Sequence, residues 1–169
     1  MSDVVVRLAS LDEVRDLQLA VLRPNGPLPN DAAPPPDALH IGALLDGTVI
    51  GAATILPAPL PATWPGTDGL SAPARSGTDQ LPEPTWQLRS MAVRADLRGR
   101  EVGRRVLARA VEIAHERGGA RLFAAARVSA LGFYTGAGWS AVGPVWDKPG
   151  VGPHRWVFLD VGADARLRA

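Results

Sequence analysis

Residues 88–107, LRSMAVRADLRGREVGRRVL, contain the strongest structural signal in the chain. An apolar strand ending at Val93 leads through a basic turn into a segment whose apolar residues recur at helical spacing. The first backbone N–H groups of a helix have no partner inside it, and the helix dipole adds partial positive charge there. This run therefore predicts a strand–turn–helix unit whose turn binds an anion such as a pyrophosphate.

The composition of the turn supports a phosphate ligand. Gly99 and Gly103 allow the main chain to approach a ligand closely. Guanidinium donors suited to phosphate oxygens come from Arg98, Arg100, Arg104 and Arg105. A solvated charged face is the alternative interpretation of these arginines.

The overall composition is that of a globular protein. The chain has 169 residues, 46% of them hydrophobic and 21% charged, and its formal net charge is +1. This length predicts one domain, and the charge argues against nucleic acid as a partner. Seventeen of the eighteen basic residues are arginines, ten of them between Arg89 and Arg127, whereas thirteen of the sixteen prolines lie between Pro24 and Pro84.

Residue counts exclude several classes of site. The chain has no cysteine, which excludes a disulfide scaffold, a cysteine nucleophile and a thiolate metal site. Its three histidines are scattered, so we predict no metal site. The first residues lack the apolar run of a signal peptide, and no stretch approaches the roughly 18 apolar residues of a membrane span. We therefore expect a soluble cytoplasmic protein with no membrane partner.

The rest of the chain predicts alternating strands and helices. Ser10 and Glu13 have capping-box spacing and predict a helix that ends before Pro24. Asp46-Gly47 predicts a tight turn between two strands. The predicted strands are residues 4–6, 41–45, 49–56, 86–93, 121–126, 141–146 and 156–160, and the predicted helices begin near Leu11, Val102 and Ala130. This order predicts an α/β (α+β) fold with a mixed sheet in a single domain.

Residues 57–83 form a long segment rich in Pro, Gly, Ser, Thr and Asp. An insert of this size in a compact domain is either a functional lid or a disordered loop. Trp64 favours a loop that docks on the domain. The final residues, 164–169, are predicted to fray.

Two motifs resemble those of the GNAT superfamily of N-acetyltransferases. The first, (Q/R)-x-x-G-x-(G/A) after a strand, is matched with Arg98 in its first position and Gly103 in its last. The second, A-x-x-F-Y-x-x-x-G-F, is matched by residues 130–139, with Trp139 in place of the usual phenylalanine. Both occur in the expected order and at the expected distance, and together they cover residues 86–142.

The resemblance extends beyond these motifs. Arg23-Pro24 after the first helix, the strand near His40 and the Gly-Pro before His154 look like one bacterial branch of the superfamily, whose members mostly have unidentified acceptors. The resemblance implies one GNAT-like domain over residues 1–169, with a mostly antiparallel central sheet, flanking helices and a splayed parallel strand pair.

Acetyl-CoA is the cosubstrate that the resemblance implies. In GNAT enzymes it lies where two adjacent parallel strands splay apart, which here are residues 88–93 and 121–126. Tyr134 aligns with the residue that commonly protonates the leaving CoA thiolate, after direct attack by a neutral amine. The residues implied in cofactor binding are Met91, Ala92, Val93, Arg98, Gly99, Arg100, Glu101, Val102, Gly103, Arg104, Arg127 and Tyr134.

The resemblance does not specify a general base. Glu83, just before the central strand, and His154, in the last loop, are candidates, and water is a third. Tyr134 and His154 also have purely structural interpretations, as a core aromatic and a loop histidine. His40 is expected either to hydrogen-bond a neighbouring loop or to reach the acceptor pocket.

Two positions depart from the family pattern. Glu101 stands where the first motif has its central glycine. Its carboxylate either repels a pyrophosphate or faces solvent as a first-turn residue that suits the helix dipole. Arg127 stands where many relatives carry asparagine, and it either bonds loop carbonyls or lies on the surface.

The acceptor side is the least interpretable part of the sequence. The family's fold builds it from segments that correspond here to the loops 24–36, 57–83 and 145–154, in which prolines are frequent. Trp64 and Trp146 are expected either in the core or in the wall of an acceptor site.

The sequence thus predicts an N-acetyltransferase that transfers an acetyl group from acetyl-CoA to a primary amine of a small molecule or peptide. The alternative, motivated by Glu101, is a CoA-binding or regulatory module of the same fold that is impaired in catalysis. Relatives are often dimers, so a homodimer is one expected assembly.

Overall fold

Strands and helices alternate along the chain much as the sequence predicts. The structure is a computed structural model, and it describes residues 3–29, 31–65 and 84–161. The strands are β1 (Val5–Ala9), β2 (Leu39–Leu45), β3 (Thr48–Pro57), β4 (Thr85–Val93), β5 (Arg121–Arg127), β6 (Ser140–Lys148) and β7 (Gly152–Asp160). The helices are α1 (Leu11–Leu22), α2 (Val102–Glu116) and α3 (Leu131–Gly136).

The seven strands described form one sheet in the order β1-β2-β3-β4-β5-β7-β6. Neighbouring strands are antiparallel except β4 and β5, which run parallel. The predicted fold class, a mixed and mostly antiparallel sheet with flanking helices, is therefore confirmed.

The parallel pair separates half-way along its length. Pairing between β4 and β5 begins at Thr85 with Arg121 and ends at Leu88 with Ala124, although both strands continue beyond that point. This is the predicted splay. It leaves main-chain groups of both strands without a sheet partner across the gap, so they are available to a ligand.

A β-bulge accompanies the splay. Thr54 of β3 pairs with Arg89, whereas Ala52 pairs with Ala92, so two residues of β4 lie opposite one residue of β3. Ser90 in this bulge has a φ of 52°, in the left-handed region. Such a bulge locally bends its strand and redirects the groups that follow it.

Helix α1 begins as its sequence predicts. Ser10 is the N-cap: its hydroxyl accepts from the Glu13 N–H, and its own N–H donates to the Glu13 carboxylate at 2.7 Å. A hydrogen bond from the Arg7 guanidinium, and after it the bond from the Ser10 N–H, lower the pKa of Glu13 to about 2. The capping box is confirmed and fixes where α1 starts beside the sheet.

Helix α2 packs its apolar face on the sheet. The buried residues of this face are Val102, Val106, Leu107, Ala110, Ile113 and Ala114. Gly51 of β3 lies directly beneath this face of α2. A Cβ added at Gly51 would come within 2.8 Å of the Val102 side chain. The close approach places the N-terminus of α2 beside the end of β4.

A separate aromatic cluster involves the start of the long insert. Trp64 is 2% exposed and packs against Phe123 and Trp156, with ring centroids 5.7 and 5.9 Å away. Trp64 therefore lies in the core rather than in the wall of a site. The rest of the insert, residues 66–83, and the tail 164–169 lie outside the described residues, so the predictions for them are unchanged.

The predicted loop 145–154 is wrong, because most of this segment forms a β-hairpin. Strand β6 continues to Lys148 and β7 begins at Gly152, with Trp146 paired to His154. The prolines that suggested a loop are tolerated here: β6 is an edge strand, and Pro153 lies beyond the last pair between β5 and β7. His154 is thus a strand residue, not a loop residue.

Candidate active site

The turn before α2 has the geometry of an anion site. Gly99 and Glu101 adopt positive φ values of 76° and 63°, and the first helical bond runs from the Arg105 N–H to the Glu101 carbonyl at 3.0 Å. The N–H groups of Val102, Gly103 and Arg104 therefore have no backbone acceptor in the described part of the chain. Three such donors at the end of a helix dipole favour a phosphate.

A cleft of about 610 Å³ opens beside this turn. It brings together most of the predicted cofactor-binding residues: Met91, Ala92, Val93, Arg98, Gly99, Glu101, Gly103, Arg104 and Arg127. Arg100 and Val102 do not line it; the Val102 side chain faces the core and leaves only its N–H for a ligand. Gly103 is tightly packed, since a Cβ there would lie 3.1 Å from the Phe133 ring, which would have to shift by a few tenths of an ångström.

Glu101 departs from the expectation of an ordinary first-turn residue. It is the N-cap of α2, its backbone is left-handed, and its side chain makes no capping bond. The carboxylate is 67% exposed and lies 3.8 Å from the Arg104 guanidinium. A left-handed φ costs a residue with a Cβ roughly 1–2 kcal/mol, which explains why this position suits glycine.

A second cleft, of about 460 Å³, adjoins the first. The two share Leu22, Met91, Arg127, Ala130 and Phe133 along their boundary. The second cleft also contains Tyr134 from α3 and Trp146 and His154 from the β6–β7 hairpin. The end of β4 therefore lies between a cleft suited to phosphates and a cleft containing titratable side chains.

Tyr134 lies at the bottom of the second cleft. It is 6% exposed, and its ring packs against Phe133 and Trp139 at centroid distances of 5.2 and 5.3 Å. Burial raises the pKa of its hydroxyl above the ordinary 10.0, so the group keeps its proton. Among the described residues the hydroxyl has no hydrogen-bond partner.

His154 is held in one tautomer. Its Nδ1 lies 2.7 Å from the Gly152 carbonyl oxygen, which can only accept, so the proton is on Nδ1 and the lone pair on Nε2. The ring stacks on Trp146 at 5.2 Å. Burial lowers the pKa of His154 below 6.5, and the neighbouring Lys148 and Arg127 lower it further against the opposing Gly152 bond. The imidazole is therefore neutral at neutral pH.

A buried polar network supports the bulge of β4. Gln18 of α1 donates to the Ser90 carbonyl at 3.0 Å and to the Thr54 hydroxyl at 3.1 Å. The Nδ1 of His40 lies 2.9 Å from the same hydroxyl, so His40 bonds a strand residue and lines neither cleft described above. The sequence did contain a signal for Gln18, since it follows Val14 by four residues on the apolar face of the predicted helix.

Of the two remaining predicted site residues, the structure describes Arg127 but not Glu83. Arg127 is half-buried and donates to the Leu22 carbonyl at the end of α1, at 3.3 Å. Glu83 lies outside the described residues.

Within the described ranges no group of three or more His, Asp or Glu side chains is arranged to hold a metal ion. No helix there is long and apolar enough to cross a membrane.

Comparison with known proteins agrees with this geometry. The family model described as "Acetyltransferase (GNAT) family" matches residues 9–139. The chain belongs to the GNAT family. GNAT proteins are acyltransferases, so this chain is classed with acyl-group transfer rather than with binding modules in general.

Several solved structures share this GNAT fold. ElaA of Escherichia coli is 19% identical, with a TM-score of 0.67 over 94% of this chain and 100% of that one. IAA acetyltransferase of Bacillus cereus is 19% identical, with a TM-score of 0.65 over 94% and 99%. An aminoglycoside 6'-N-acetyltransferase complexed with coenzyme A is 14% identical, with a TM-score of 0.64 over 94% and 97%. No curated protein matches the chain by sequence.

Proposed function

We propose that the protein is an acetyl-CoA-dependent N-acetyltransferase that acts on a primary amine of a small molecule or peptide. The observation that supports this most is the meeting of the two clefts at Met91, where β4 and β5 separate. An acetyl donor held in the first cleft would present its thioester at the boundary, and an amine in the second cleft would reach it. The coenzyme A in a GNAT neighbour of the same fold supports the choice of donor.

The residues of the first cleft fit such a donor. The free N–H groups of Val102, Gly103 and Arg104 suit the pyrophosphate, with Arg98 adding positive charge. The end of β4, from Met91 to Val93, has no strand partner on its β5 side and offers main-chain groups there to the pantetheine and the thioester oxygen. An N–H directed at that oxygen stabilises the charge that develops there during acyl transfer.

The second cleft supplies the proton transfers of direct attack. The amine nitrogen forms a bond to the acetyl carbon as the carbon–sulfur bond breaks. His154 Nε2 accepts the proton that the amine loses, and the Tyr134 hydroxyl donates a proton to the departing sulfur. The neutral imidazole and the protonated phenol are the forms that these roles require. His154 is proposed as the base because it lines the second cleft and its tautomer leaves the Nε2 lone pair available, whereas Glu83 lies outside the described residues.

Calorimetry with acetyl-CoA tests the donor. We expect one site with a Kd between about 1 μM and 1 mM, and release of free CoA thiol when an amine acceptor is added. Arg98→Gln should weaken binding about tenfold, because it removes a charged donor from the phosphate site. Arg117→Gln, an exposed arginine at the other end of α2, is the matched control and should bind like the wild type. Absence of binding at millimolar acetyl-CoA contradicts the proposal.

The second candidate, a CoA-binding or regulatory module impaired in catalysis, is favoured by one observation. Glu101 places a carboxylate and a strained backbone in the phosphate turn. Under this alternative the chain binds acetyl-CoA weakly and releases no thiol with any amine.

Glu101→Gly separates the two candidates. We expect the free energy of unfolding to rise by about 1 kcal/mol, since glycine removes the left-handed strain. The affinity for acetyl-CoA should rise less than about tenfold, because the carboxylate is exposed and screened. Glu101→Gln removes the charge but keeps the Cβ, so it separates the effect of the charge from the effect of the backbone strain. A larger gain in affinity, together with an inactive wild type, favours the impaired module.

A further inference from the structure

The second cleft is lined by an excess of positive charge. Its cationic side chains in the described structure are Arg23, Arg89, Arg127 and Lys148, and its lining contains one carboxylate, Asp31. Lys148 is the single lysine of the chain. These cations come from four different parts of the fold, so their convergence is a property of the fold and not of a local charge run.

One of the four cations is neutralised and three are not. Arg23 makes a two-pronged ion pair with Asp31 at 2.6 and 2.7 Å. Arg89 donates only to the neutral Gln87 amide at 2.8 Å, and Arg127 only to a backbone carbonyl. Within the described ranges the Lys148 ammonium has neither a hydrogen bond nor an ion pair.

The uncompensated cations are close enough to repel one another. The pKa of Lys148 is lowered, first by burial and then by Arg23, Arg89 and Arg127, against an opposing effect of Asp31. Arg89 and Lys148 are exposed, so solvent screens part of this repulsion, but an anion bound among the cations would still be attracted to them. The protein on its own does not supply that anion in its described part.

Two indole rings also contribute to the lining of this cleft. Trp146 and Trp156 line it, and the Nε1 atom of each is buried without an acceptor.

The cofactor does not account for all of this charge. The phosphate-binding turn, with Arg98 and Arg104, lines the other cleft and not this one. Lys148 and Arg89 lie in the second cleft and are absent from the lining of the first, whereas Arg127 lines both. The charge therefore faces the side assigned to the acceptor.

We infer that the acceptor amine carries an anionic group, a carboxylate or a phosphate, which is held by Arg89, Arg127 and Lys148. This inference rests on the proposed N-acetyltransferase function. The same cations disfavour the ammonium form of the acceptor, so they raise the fraction of neutral amine available to attack. The anion site thus selects the substrate and prepares its nitrogen.

Matched bisubstrate conjugates test the inference even though the acceptor is unidentified. In each conjugate, an acetyl unit joins the CoA sulfur to an amine nitrogen. That nitrogen carries a chain of one to three methylene groups. The chain ends in a carboxylate, in a phosphonate, or in a methyl group as the neutral match. We expect at least one anionic conjugate to bind at least about tenfold more tightly than its neutral match, because charge-assisted hydrogen bonds are stronger than those between neutral groups. The affinities of the carboxylate and phosphonate conjugates, when compared, identify which anionic group the cleft prefers.

Substitutions in the second cleft test whether the preference for anionic conjugates arises there. The ratio of affinities between the anionic and neutral conjugates should fall towards one in Arg89→Gln and Lys148→Gln, and it should persist in Arg117→Gln. If no anionic conjugate binds more tightly than its match, or if the ratio survives both substitutions, the inference is wrong. If neither the conjugates nor acetyl-CoA bind at all, the proposed function itself fails, which is a distinct result.

Discussion

Replacing Tyr134 with phenylalanine is expected to slow CoA thiol release by about a hundredfold or more, which is the usual contribution of a positioned proton donor. Acetyl-CoA affinity should stay within about threefold of the wild type, since the ring still fills its place between Phe133 and Trp139. Because burial raises the pKa of Tyr134, the wild-type hydroxyl should remain a donor throughout the alkaline range of an ordinary assay.

The measurement is thiol release at saturating acetyl-CoA and acceptor, together with calorimetry of acetyl-CoA alone. Thr135→Val is the matched control: it removes a hydroxyl from the same helix, one that bonds the Leu131 carbonyl within α3. An unchanged rate in Tyr134→Phe removes this residue from the mechanism. A loss of acetyl-CoA affinity equal to the loss of rate assigns it to packing instead.

His154→Asn is expected to lower the turnover rate by about a hundredfold and to change its dependence on pH. The asparagine amide can still donate to the Gly152 carbonyl, as Nδ1 does, but it offers no lone pair in the position of Nε2. In the wild type the neutral imidazole is the active form. The rate should therefore be constant above the pKa of His154, which lies below 6.5, and should fall as the pH drops through it.

The pH profile of turnover at saturating substrates distinguishes a base from a structural histidine. The acid limb should disappear in His154→Asn and remain in His115→Asn. His115 is a suitable control because its Nδ1 also lies against a backbone carbonyl, that of Val161, at 2.8 Å and outside both clefts. An acid limb that survives in His154→Asn excludes this imidazole as the proton acceptor.

The turn before α2 and the cleft beside it can be predicted because their signals are local. The strand, turn and helix of residues 88–107 follow one another directly, so glycine placement, helical periodicity and the helix dipole specify the site together. The capping box at Ser10 is similarly contained within four residues. Such features do not depend on how distant segments pack.

The second cleft cannot be predicted in the same way because it is assembled from residues far apart in the sequence. Arg89, Arg127 and Lys148 lie on β4, β5 and β6, and only the strand order brings them into one cleft. The prolines and glycines of the β6–β7 hairpin suggest a loop, whereas the edge position of β6 makes them tolerable. The left-handed backbone of Glu101 escapes prediction because no sequence rule favours a glutamate there.

The position of β6 at the edge of the sheet has a consequence for how this protein could diversify. An edge strand is held from one side only, so it tolerates substitution and changes of length better than a central strand. β6 carries Trp146 and Lys148, whereas β4 and α2 carry the turn and the first cleft. Under the proposed function, mutations on the hairpin would therefore alter acceptor choice without disturbing coenzyme recognition. Exchange of this hairpin between relatives is therefore a practical route to new specificities.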